Sequence, residues 1–397
     1  MKRRTVLTTV LLSGALLATV SPAGAQDTAD TAAADRHGAR PWTADAFPAG
    51  NANILDAARI DGRTELAVGS RRFGEGRGNT YTVPVAFTRG TGDANWREIA
   101  LPDGLGARTV DSDGVGGAWV SGNKAANGTT IPVGHYRDGR WQVRNAPAPE
   151  HTLAAGFTGI ATADGPDDAW AVGSYEPDDF LTFYGLIEHW NGTGWERVAT
   201  PELDTDYWTL NAVTATGPSD VWAAGAIGTP EGWTRPLLLH YDGHSWSRVA
   251  APDLDSRYGE LTQLVAIGPG DVWASGTEEG PDHNPQTLVA HDDGTGWTHQ
   301  ETGIGAGHLY GLTRTGNGVA TVGYRLDNGR TYQPIGARLT PGGWKPLDLP
   351  QSVGGRGRTP RSVVEAGGRL TVVGIDNPDG TDAAGDPLPP TPFSVTR

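Results

Sequence analysis

The chain has 397 residues, 37% of them hydrophobic, with 58 glycines, 28 prolines and no cysteine. Glycine and proline together make about 22% of it, a turn density that disfavours a helical bundle and leaves two or three ordinary domains or one large all-β domain. With 31 basic against 46 acidic residues the net charge is −15, the wrong sign for a nucleic-acid surface, and the absence of cysteine excludes disulfides, thiolate metal sites and a cysteine nucleophile.

At the N-terminus, Lys2, Arg3 and Arg4, an apolar run from Val6 to Val20 and the small-residue pattern Ala23-Gly24-Ala25 predict a secretory signal peptide over residues 1–25. The stretch Arg3-Arg4-Thr5-Val6-Leu7 partly matches a twin-arginine signal, so folded and unfolded export both stay open. Ser13 and Gly14 break the apolar run, and no later segment reaches the roughly 18 apolar residues of a membrane span. The processed chain is therefore expected to be soluble, extracellular and not membrane-spanning. Losing three basic residues takes 31 to 28 against 46 acidic, a net charge of −18. Residues 26–41, rich in Ala, Asp and Thr, read as a flexible leader, and 42–397 as one domain.

From there one phrase recurs, clearest in Gly217-Pro218-Ser219-Asp220-Val221-Trp222-Ala223-Ala224-Gly225 and again around Trp170 and Trp273. Its closing glycines, Gly69, Gly122, Gly173, Gly225, Gly276, Gly323 and Gly374, lie 53, 51, 52, 51, 47 and 51 residues apart. A second phrase follows each first one, as in His240-Tyr241-Asp242-Gly243-His244-Ser245-Trp246, and an Asp-Gly or Asn-Gly between apolar runs predicts a tight hairpin whose central residues take positive φ. Each unit then holds four short strands, exemplified by Leu210 to Ala215, Val221 to Ala224, Leu237 to Tyr241 and Trp246 to Val249. Four-stranded units repeated without helices predict an all-β, seven-bladed β-propeller of antiparallel blades. The last unit, ending at Phe393 to Val395, lacks the tryptophan that closes every other, while Trp42 stands alone ahead of the first. A strand around Trp42 is thus expected to pair with the one around Phe393 and seal the ring without an open edge.

These repeats resemble those of kelch-type and galactose-oxidase-type propellers, and more closely the Asp-Val-Trp-Ala-x-Gly repeats of secreted bacterial proteins. The resemblance implies the fold and no single activity, since propellers host enzymes, lectins and interaction hubs. Galactose-oxidase chemistry needs a cysteine-modified tyrosine beside copper, so it does not carry over to a chain without cysteine. The Asn-Gly and Asp-Gly turns also resemble sialidase Asp-boxes and the turns of seven-bladed bacterial lectins. A sialidase would require an arginine triad and a tyrosine nucleophile, which no spacing here assembles.

Residues that recur in register are assigned to packing and turns: the closing tryptophans, Trp119, Trp170, Trp222 and Trp273, and His135, His189, His240 and His291 before the hairpin. Residues outside the register gather in the connections of variable length, which share one face of the ring. That face is the expected binding site, with Tyr207, Trp208, Trp233, Tyr258, His308 and Tyr310 as ligand-binding residues. Acidic loops at Glu176 to Asp179, Glu278 to Asp282 and Asp376 to Asp382 offer carboxylates to Ca²⁺ without matching a fixed calcium spacing, so no cofactor is expected beyond that option. No Gly-x-Ser-x-Gly, His-Glu-x-x-His or phosphate loop occurs. The leading expectation is a secreted, monomeric, non-catalytic propeller that binds a glycan or cell-surface component. An extracellular hydrolase or lyase drawing on His283, His308, Asp204 and Asp206, and an envelope interaction scaffold, are the alternatives.

Overall fold

A computed structural model describes residues 40–397 except 74–80, 124–127, 179–181, 255, 281–282, 317, 354 and 382–386. The expected signal peptide and nearly all of the leader lie outside the described residues. Blade I comprises β2 (Asn53–Arg59), β3 (Thr64–Phe73), β4 (Tyr81–Gly90) and β5 (Arg97–Ile99), and blade II β6 (Thr109–Ser112), β7 (Gly117–Ser121), β8 (Thr130–Arg137) and β9 (Arg140–Pro147). Blade III holds β10 (Thr152–Thr162), β11 (Ala169–Pro177), β12 (Tyr184–Trp190) and β13 (Trp195–Arg197), and blade IV β14 (Trp208–Gly217), β15 (Asp220–Gly228), β16 (Thr234–Tyr241) and β17 (Trp246–Val249). In blade V are β18 (Gly259–Gly268), β19 (Asp271–Glu279), β20 (Pro285–Asp292) and β21 (Trp297–His299), and in blade VI β22 (His308–Thr315), β23 (Gly318–Asp327), β24 (Thr331–Thr340) and β25 (Gly343–Pro346). Blade VII is built from β26 (Gly355–Ala366), β27 (Arg369–Pro378) and β28 (Thr391–Thr396), and its fourth strand is β1 (Thr43–Asp45).

The expected closure is present: β1 runs antiparallel to β28 with Thr43 opposite Thr396 and Asp45 opposite Ser394, and Trp42 packs on the same core as Phe393 and Val395. Seven apolar clusters, one per blade interface, complete the circle. The cluster between blades VII and I joins Val364 and Val373 to Ile54, Phe87 and Trp96. The first strands of all seven blades line a central channel of only about 250 Å³.

Each element of the repeat has a physical job. In six blades the first strand carries a β-bulge opposite the second. In all six the repeated glycine faces a first-strand carbonyl so closely that a Cβ at Gly69, Gly225 or Gly323 would overlap it. The bulged side chains stitch neighbouring blades together. Thr158 Oγ1 donates to Leu210 O at 2.6 Å, Asn211 Nδ2 to Leu261 O at 2.8 Å and Thr262 Oγ1 to Leu309 O at 2.7 Å.

One turn expectation is corrected. Among the described residues two consecutive positive φ values occur at Asp138-Gly139 (50° and 75°), Asn328-Gly329 (51° and 65°) and Gly367-Gly368 (58° and 81°), and only the first of these pairs lies in the repeated hairpin phrase. In blades III to V the hairpin is two residues longer, because the Asp or Asn side chain organises it. Asp242 Oδ1 accepts from the amides of His244 and Ser245 at 2.9 Å each, and Asn191 Oδ1 does the same for Thr193 and Gly194 at 3.0 Å.

Ring closure also uses charge. Arg89 is 4% exposed and reaches Glu65 through Nε at 2.7 Å and Asp45 through Nη1 at 2.7 Å, while its Nη2 donates to Thr371 and Thr396 at 2.8 and 3.0 Å. Ser394 Oγ donates to Asp45 at 2.9 Å. Blade I, blade VII and the closing strand thus share one buried network in addition to their backbone bonds.

Candidate functional site

The recurring residues are absorbed into structure. His135, His189, His240 and His291 each place Nε2 2.8–2.9 Å from the carboxylate of Asp113, Asp168, Asp220 or Asp271 in the first turn of the same blade. Each ring also lies 4.0–4.3 Å from Trp119, Trp170, Trp222 or Trp273. The closing tryptophan of the next blade then meets that indole edge-on, as Trp195 does Trp119 at 5.6 Å and Trp246 does Trp170 at 5.4 Å. Among the described residues no group of three or more His, Asp or Glu side chains is arranged to hold a metal ion, and no helix is long and apolar enough to cross a membrane.

The connections between second and third strands, and from one blade to the next, lie together at the start of the first strands. On blade IV, Tyr207 and Trp233 are each 39% exposed. Tyr207 meets Phe183 edge-on at 5.7 Å, and the Arg257 guanidinium lies 4.6 Å above the Trp233 ring. Tyr258 is half-buried beside Glu260; burial pushes its phenol up to about 12, with the Glu260 charge adding to the effect. Burial likewise raises Glu260, and burial and then Glu260 raise Tyr207. Tyr207, Tyr258 and Glu260 thus lie close enough to act on one another electrostatically.

Trp208 stands apart from its neighbours. It is 4% exposed, belongs to the core between blades III and IV, and covers Gly185 so tightly that a Cβ there would overlap the indole. The expectation of an open stacking platform at Trp208 is therefore corrected: it lies two residues before Leu210 on one strand and shares its buried face. Its edge forms one wall of a cavity of about 620 Å³ with Tyr175, Tyr184, Arg197, Glu202 and Asp204. Arg197 sits 5.1 Å above Tyr175, which is 5.6 Å from Tyr184.

His308 and Tyr310 open the first strand of blade VI, where they meet Tyr324 and Arg361. Tyr310 and Tyr324 stack at 5.7 Å with an interplanar angle of 10°, His308 is 5.6 Å from Tyr324, and Tyr332 meets Tyr324 edge-on at 5.3 Å. Burial, and then the Arg361 charge, lower the His308 pKa, so the ring is neutral at pH 7. Burial pushes the Tyr324 phenol up to about 12.

Two of the acidic loops have carboxylates committed elsewhere. Asp376 accepts from Ser352 at 2.6 Å and pairs with Arg358 at 3.0 Å, while Glu279 is engaged by His283 and Arg257. Asp179, Asp282 and Asp382 lie outside the described residues. A polar cleft of about 760 Å³ surrounds Glu279, with Asp253, Glu278, His299 and Glu301 on its walls. The central channel is smaller than ordinary small-molecule sites. Burial raises Asp56 to about 6 and Asp111 to about 7, and both accept amides of the next blade, from Val110 and Thr162 at 3.0 and 3.1 Å.

No family model matches the chain, and no curated protein is similar to it. Among solved structures, the chain is similar to YCF48 bound to D1 peptide, at 16% identity over 71% of this chain and 92% of that one, with a TM-score of 0.40. A Dyadobacter fermentans protein of unknown function is similar at 14% identity over 90% and 97%, TM-score 0.49, and YjhT at 13% over 66% and 88%, TM-score 0.43. At these identities and TM-scores the likeness adds nothing about the site.

Proposed function

We propose that the chain is a secreted, non-catalytic propeller that holds a glycan or cell-surface ligand on its individual face. One observation carries the reading. Repeated aromatics and histidines are consumed by core and turns, whereas Tyr207, Trp233, Tyr258, His308 and Tyr310, which break the repeat, stay partly exposed on adjoining blades IV to VI. Partly exposed aromatic rings beside hydroxyl, carboxylate and guanidinium groups suit a sugar, whose C–H faces stack while its hydroxyls bond. A hydrolase is supported by the cleft around Glu279, but that carboxyl is held below its ordinary range, chiefly by His283, and so lacks the proton a general acid needs at neutral pH. The test is a glycan array with the mature protein and with Tyr207→Ala and Trp233→Ala. Binding that both substitutions weaken supports the reading; no signal for the native protein on any glycan overturns it.

A further inference from the structure

Arg361 occupies the bulge register that in blades III, IV and V holds Thr158, Asn211 and Thr262. Instead of binding a neighbouring carbonyl, its guanidinium lies 4.4 Å above the Tyr310 ring and 5.8 Å from that of Tyr324. Its Nε is out of water with no acceptor, and no ion pair or hydrogen bond joins Arg361 to any described residue. Arg71, Arg89 and Arg358, by contrast, each have a carboxylate partner. An arginine desolvated by aromatic rings and left without an anion is a preformed half of a guanidinium–carboxylate pair.

The surroundings are held in place. Tyr332 and Gly357 form a parallel bridge that fuses the sheets of blades VI and VII, and Gly357, at φ +103°, approaches the Tyr332 carbonyl so closely that a Cβ there would overlap it. Asn377 Nδ2 donates to Gly357 O at 3.0 Å, and Arg356 lies 5.7 Å over Tyr332. Little order remains to be gained on binding, which favours affinity.

We propose that Arg361, flanked by Tyr310, Tyr324 and His308, is the carboxylate subsite of this face, and that the ligand is an acidic glycan bearing uronic-acid residues. The proposal rests on the glycan-binding reading and narrows it. The sugar carboxylate pairs with the guanidinium, and the tyrosine hydroxyls and neutral His308 bond sugar hydroxyls. The strongly negative chain repels diffuse polyanions, so recognition is confined to this spot.

Binding is measured for polygalacturonate, hyaluronan and alginate against methyl-esterified polygalacturonate, neutral dextran and poly-glutamate. The native protein is expected to bind at least one uronate polymer and to lose roughly 10- to 100-fold in affinity with Arg361→Gln, the loss of one charge-assisted contact. Arg361→Lys should restore part of it, and Arg140→Gln on the opposite face should change nothing. If Arg361→Gln fails to fold, the methyl ester, which masks the carboxylate on the same backbone, makes the same test. Equal binding of ester and acid, or of poly-glutamate and uronates, overturns the carboxylate-sugar assignment. Binding to neutral glycans alone overturns it while leaving the glycan reading standing; no binding to any sugar, on this panel or on the array, overturns both.

Discussion

Glu188 is fully buried on β12, on the face it shares with Leu186 and Trp190 between blades II and III, and neither carboxyl oxygen has a partner. Blade IV has Leu239 at the matching position, one residue before its repeated histidine. Burial pushes the Glu188 carboxyl from an ordinary 4.5 up to about 8, with Arg197 across the strand pair pulling it partly back. Because the folded value is raised, the cost runs opposite to the usual acid case. Below pH 4.5 both states are protonated and nothing is lost; between 4.5 and 8 the unfolded chain ionises while the folded one cannot, and stability falls; above 8 the loss levels off. At pH 7 the difference of 2.5 between 7 and the ordinary value of 4.5 costs about 3 kcal/mol. Glu188→Gln keeps the shape and removes the ionisation. Its own unpartnered amide costs the same at every pH and cancels in the comparison. Urea midpoints measured between pH 4 and pH 8 should show the variant gaining about 3 kcal/mol on the native chain from pH 4 to pH 7. Asp56 and Asp111 titrate in both proteins and drop out. A difference that does not change with pH would refute a neutral buried carboxyl at this position.

Arg89→Met should cost about 3–5 kcal/mol, since it strands two buried carboxylates, whereas Arg71→Met at the half-exposed pair with Glu98 should cost under about 1 kcal/mol; equal denaturation midpoints for the two variants would contradict the network at the seam. Trp208→Ala should lose about 3–5 kcal/mol through a core cavity, and Trp233→Ala under about 1 kcal/mol. Thermal unfolding that ranks them the other way would restore Trp208 to the surface.

The fold was legible because the fixed spacing of glycines and tryptophans reflects one steric demand met in six of the seven blades: a second strand pressed onto a bulged first strand. Even the composite last blade could be read, from a tryptophan missing at one end and spare at the other. The site was legible only as a face. For Trp208, departure from the repeat does not mean exposure: two residues before Leu210 on one strand, it falls on the inward face. Arg89 and Glu65 carry no motif. Their signal is substitution at the positions that hold Tyr241 and Val221 in blade IV, which becomes visible only once strand registers align the blades. Arg361 likewise carries no motif, and its place beside Thr158, Asn211 and Thr262 shows only once the bulges align the blades.

The pairing of Asp45 with Ser394 and Thr396 spans 349 and 351 positions of the chain. No ribosome-bound intermediate can make that bond before residue 396 has been polymerised, so six blades can stack during synthesis while β26 and β27 wait for β28 and for the strand that carries Asp45. Ring closure therefore comes last, when an aspartate made near the beginning, already within reach of the Arg89 guanidinium of blade I, gains its Ser394 and Thr396 hydroxyl partners.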